Sequence, residues 1–78
     1  MKTNDLKKGM RIQLRNGWYG TMADNMRGNT RLVEVEGTYT ETGSVYCHDI
    51  LWFVDVVTGD CTRIEHTVPQ LKLMQMGW

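Results

Sequence analysis

Cys47, His48 and Asp49 stand side by side in "GSVYCHDI" (43–50), and Cys61 and His66 follow further along the chain. A thiol next to an imidazole and a carboxylate has the makings of a nucleophilic centre, and two Cys with two His form a familiar zinc donor set. Spacing argues against both. Zinc modules pair their ligands as in C-x2-C so that one tight knuckle holds two thiolates, whereas these thiols lie fourteen positions apart. Neighbours on an extended chain point to opposite faces, which keeps the His48 ring from serving Cys47 as a base. The segment therefore reads as a bend, with Cys47 a small buried residue and His48 and Asp49 satisfying the turn. No catalytic residue, metal or cofactor is expected.

Other chemistry is absent from the chain. There is no GxxxxGK[ST], HExxH or GxSxG run. The basic loop "MRGNTR" (26–31) lacks the strand–loop–helix setting of a phosphate cradle, and Glu34 and Glu36 read as solvated residues of one strand face. A chain of 78 residues is one domain, residues 1–78, with little room for a deep cleft. Binding is the function class that remains.

Short alternating runs between Gly and Asn punctuation predict antiparallel strands. "RIQLR" (11–15) alternates Ile12 and Leu14 with polar residues, Asn16-Gly17 predicts a tight hairpin turn, and "WYGTMAD" returns with Gly20 at a bulge or close approach. In "RLVEVE" (31–36) Val33 and Val35 share one face and Glu34 and Glu36 the other. "VYCHDILWFVDVV" (45–57) is longer than the usual 5–6 residues or so of one strand, so it should bend at Cys47-His48-Asp49. A three-residue loop, Thr58-Gly59-Asp60, would then pair Val57 with Cys61, Asp55 with Arg63, Val54 with Ile64 and Trp52 with His66. Thr67 predicts a helix N-cap with Pro69 in a single helical turn, after which Leu71 and Leu73 resume alternation. About five strands with one short helical turn near the C-terminus predict an all-β, mainly antiparallel, SH3-like barrel.

Three surfaces follow from this reading. With Ile50, Trp52, Val54 and Val56 turned inward, Leu51, Phe53 and Val57 would form an outward apolar strip, a protein interface or homodimer seam. Trp18 and Tyr19, beside the turn, could serve a protein partner or stack bases while Arg11 and Arg15 meet phosphates. The closing "MQMGW" supplies adaptable apolar material.

Net charge is zero, yet residues 1–31 carry seven basic side chains against two acids, and residues 32–78 carry two against seven. That asymmetry predicts two halves that pair in the fold. The alternative is a basic face built from Arg11, Arg15, Arg27 and Arg31 for nucleic acid. The absence of any long apolar run gives neither a signal peptide nor a membrane segment, and two cysteines without an export signal fit reduced thiols in the cytoplasm.

Two segments resemble known proteins. "KKGMRIQLRNGWYGTM" (7–22) resembles the opening hairpin of SH3-like and KOW-type barrels, with Met10 where an acidic residue is usual. "VEGTYTETGSVYCHDI" (35–50) resembles small proteins encoded by bacteriophages and mobile elements of enteric bacteria. The resemblance implies a bacterial or phage-infected cytoplasm and an accessory role in modulating a host factor or defence system. The expectation is a non-enzymatic module that binds a protein, with a nucleic-acid-binding barrel as the alternative.

Overall fold

The computed structural model describes residues 1–24 and 28–77. A 3-10 turn at Thr3–Asp5 precedes four strands in an antiparallel meander: β1 (Arg11–Leu14), β2 (Tyr19–Asp24), β3 (Thr30–Glu36) and β4 (Thr40–Tyr46). A second 3-10 turn, Cys47–Asp49, swings the chain back so that β5 (Ile50–Val54) pairs with β1. Strand β6 (Cys61–Arg63) pairs with β5, and helix α1 (Val68–Gln75) closes the chain. The sheet order is β4-β3-β2-β1-β5-β6. The class is all-β and mainly antiparallel, as the alternation predicts, but the six-stranded sheet stays open with β4 and β6 as its edges and does not close into a barrel.

Turn chemistry sets the registers. Between β1 and β2 the connection spans residues 15–18, longer than the tight turn expected at Asn16-Gly17. Only Gly17 takes positive φ (91°), and the Asn16 side chain accepts the Trp18 amide at 3.0 Å. Further on, the Asp55 carboxylate accepts the amides of Val57 (2.9 Å) and Thr58 (3.3 Å). That side-chain turn stops β5 at Val54 and lengthens the loop to residues 55–60. The register is therefore Val54 with Cys61, Phe53 with Thr62 and Trp52 with Arg63, which corrects the expected pairing.

A bulge overturns the expected parity of β5. Gln13 lies opposite Trp52 and Leu14 opposite Ile50, which leaves Leu51 as the extra residue. Past the bulge the inward set switches, so Phe53 lies opposite buried Ile12 and packs against the core. Leu51 is half-buried and Val57 sits in the loop, so Leu51, Phe53 and Val57 form no continuous outward strip.

The core lies on one face of the sheet: Leu6, Ile12, Leu14, Met22, Val33, Ile50 and Ile64. Gly20 is a close approach, since a Cβ there would stand 2.6 Å from Val33 Cγ1. The Thr67 hydroxyl accepts the Gln70 amide, and the Gln70 side chain accepts the Thr67 amide at 2.9 Å. That reciprocal cap starts an eight-residue helix, two turns where one was expected. Among the described residues no helix is long and apolar enough to cross a membrane.

Candidate protein-docking surface

Strand pairing brings Arg31, Val33 and Val35 of β3 opposite Val45, Gly43 and Glu41 of β4. Val33 is sealed in the core, whereas Val35 and Val45 are only half-buried against it. At that end of the sheet the inner face stays open as a groove lined by Trp18, Val35, Tyr39, Glu41, Gly43 and Val45. Trp18, 47% exposed, lies over Gly37, where any Cβ would strike the indole. The groove continues past Leu14 to the Arg15–Asp49 ion pair (2.8 Å). Beside it runs β4, seven residues paired on one side only.

This edge carries little of the usual protection, Glu41 being its one charged side chain. Its sequence, "TETGSVY", has no Lys, no Pro and an unbroken register of seven pairs. Natural sheets blunt their edges with such charges, prolines, bulges or short strands. The opposite edge, β6, is three residues long and ends in Arg63, whose guanidinium lies 5.2 Å from the Trp52 ring.

Of the residues expected to bind protein, Trp18 belongs to this groove. Tyr19 points to the other face under the Arg11 guanidinium, 5.1 Å from its ring centre. The structure adds Val35, Tyr39, Gly43 and Val45, which the sequence reading did not single out. The signal available was the Val33/Val35 face of β3, which needs a neighbour. The polar edge strand that supplies it carries no apolar alternation.

Arg11, Arg15 and Arg31 are drawn into contacts within the fold. Arg11 pairs with Glu36, Arg15 with Asp49, and the N-terminal amine with Glu65 at 3.2 Å, each joining the basic half to the acidic half. The hydrogen bond from Arg11 holds the Glu36 carboxyl below its ordinary range, against an opposing desolvation effect. Arg31 is 1% exposed, which corrects its expected role on a phosphate-binding face. Its parity with Val33 and Val35 turns it inward, where it donates to the Gly28 and Thr30 carbonyls (3.0 and 2.8 Å) and to Asn4 Oδ1 (2.6 Å). Arg27 lies outside the described residues.

Cys47-His48-Asp49 is the expected bend, a single 3-10 turn. Burial pushes the Cys47 thiol above its ordinary range, and the Arg31 charge only partly offsets this. The neighbours of Cys47 Sγ are Arg31 Nη1 (3.2 Å) and the Gly28 carbonyl (3.4 Å), neither of them a base for a thiol. His48 is buried with its ring stacked on Tyr46, 5.1 Å between centroids, and its Nε2 has no hydrogen-bond partner. Cys61 is exposed, His66 Nε2 contacts the Ile50 carbonyl at 3.0 Å, and no metal-holding group of three or more His, Cys, Asp or Glu occurs among the described residues.

No protein-family model matches the chain, and comparison with curated proteins and with solved structures gave no match.

Proposed function

We propose that the protein is a non-enzymatic binding module that takes a protein partner at the groove beside β4. The observation that carries this is the conjunction of a half-exposed Trp18 over a largely apolar floor with a seven-residue edge strand that bears no lysine, proline or bulge and a single charge, Glu41. Main-chain bonds to such an edge give affinity, side-chain pockets give selectivity, and Trp is a preferred anchor at interfaces.

The reading extends to a phage or mobile-element protein that modulates a host factor in the bacterial cytoplasm. The segment carrying that resemblance, residues 35–50, runs from the end of β3 through all of β4 to the start of β5. The SH3-like part rests on connectivity alone: strands in the order β5-β1-β2-β3-β4 with a one-turn helix ahead of β5. A nucleic-acid role is disfavoured, because phosphates would have to displace Glu36 from Arg11 and Asp49 from Arg15 on a chain of zero net charge.

The test is affinity capture from bacterial lysate, with and without nuclease treatment, using the intact chain and Trp18→Ser. The reading expects a protein retained by the first and lost by the second, with nuclease making no difference. Retention that ignores Trp18, or that nuclease abolishes, would overturn it.

A further inference from the structure

We infer that the strand added to β4 is β4 of a second copy, paired antiparallel about a two-fold axis through Gly43. This rests on the groove and edge being a protein-docking surface, and it names the occupant.

The register follows from the residues on the edge. A two-fold through Gly43 overlaps all seven residues of β4, Thr40 facing Tyr46 of the other copy, Glu41 facing Val45 and Thr42 facing Ser44. Each pair occurs twice. Thr with Tyr is a β-branched–aromatic pair and Thr with Ser a hydroxyl pair, both favourable across strands. No charge faces a like charge. Centring the axis on Thr42 instead would shorten the overlap and set the two Glu41 side chains diagonal to one another. The whole chain carries zero net charge, so two copies approach without net repulsion.

The groove supplies the second argument. In this register Tyr39 of each copy, 72% exposed in the single chain, becomes the diagonal neighbour of the other copy's Val45 on the groove side. A tyrosine ring reaches across that spacing. Each copy would thus cover part of the apolar floor that the other copy leaves open. The arrangement is isologous, so it closes at two and leaves no β4 edge to extend into a fibre.

Charge substitutions at the paired positions test the register. Sedimentation of the full chain up to about 1 mM, where even millimolar affinity populates a dimer, should show the mass climbing toward twice the 9.0 kDa monomer. The double variant T42K/S44K sets lysine against lysine at both pairs and should weaken association about tenfold or more. T42K/S44E sets lysine against glutamate and should restore it. Circular dichroism checks that each variant folds. A wild type that stays monomeric throughout, or a T42K/S44E variant no better than T42K/S44K, would overturn the self-pairing. Trp18-dependent capture of another protein by a monomeric chain would sink only this inference, whereas loss of both would sink the docking surface as well.

Discussion

The guanidinium of Arg31 lies 3.2 Å from the thiol of Cys47, and both residues are 1% exposed. This contact ties the start of β3 to the turn that redirects the chain into β5. Arg31→Met keeps much of the stem but removes the donors that satisfy the Gly28 and Thr30 carbonyls and the Asn4 side chain. Losing these charge-assisted hydrogen bonds from a buried guanidinium should cost about 2–4 kcal/mol in urea unfolding. A loss within a few tenths of the wild-type value would contradict this placement of Arg31.

The same burial gives the two cysteines different reactivities. Exposed Cys61 should take up iodoacetamide promptly near neutral pH, while Cys47 should react only when the chain unfolds. Mass spectrometry of partly labelled protein reads this directly.

Because burial raises the Cys47 pKa, the unfolded thiol ionises first as pH rises. The contribution of Cys47 to stability is therefore complete below the unfolded thiol's pKa of about 8.5 and declines as pH climbs from there toward the folded value. Cys47→Ala should flatten the alkaline limb of the stability curve, as urea midpoints across that range would show.

At the acid end the sign is opposite. Arg11 lowers the Glu36 pKa, so the pair's contribution is present above the unfolded carboxyl's pKa, about 4.3, and is lost as pH falls through the lower folded value. Glu36→Gln should be slightly less stable than wild type at neutral pH, with the difference vanishing in acid. A difference that persists in acid would mean that Glu36 acts through packing.

Two glycines should respond differently to alanine. At Gly20 the new methyl meets the buried, branched side chain of Val33 and the Glu34 carbonyl oxygen at 3.1 Å, so the variant should lose about 1–3 kcal/mol. At Gly37 the atoms nearest the new methyl belong to the half-exposed indole of Trp18, which can swing away. Gly37→Ala should therefore alter Trp fluorescence and weaken docking while changing stability far less than Gly20→Ala.

Local patterns made much of this fold legible. Alternation in 11–14 and 31–36, the glycine turn after Leu14, the bend at 47–49 and the Thr67 cap all follow from short-range chemistry. What escaped depended on partners distant in sequence. The Leu51 bulge reflects how β5 meets β1, and it reverses the facing of Phe53. The Asp55 side-chain turn moved the β5–β6 register. Strand β4 holds its place through pairing with β3, and its mixed polar sequence gives little strand signal alone. Charge by itself marked Arg31 as a surface residue, although its alternation with Val33 and Val35 pointed inward.

Amide hydrogen exchange along β4 tests most directly whether proteins dock at this edge. Between about 10 μM and 1 mM chain, the outward-pointing amides within Thr40–Tyr46 should become protected, and those of β6, Cys61–Arg63, should not change. Outward β4 amides that exchange at the same rate at every concentration, and that a Trp18-captured protein also fails to slow, would contradict the account.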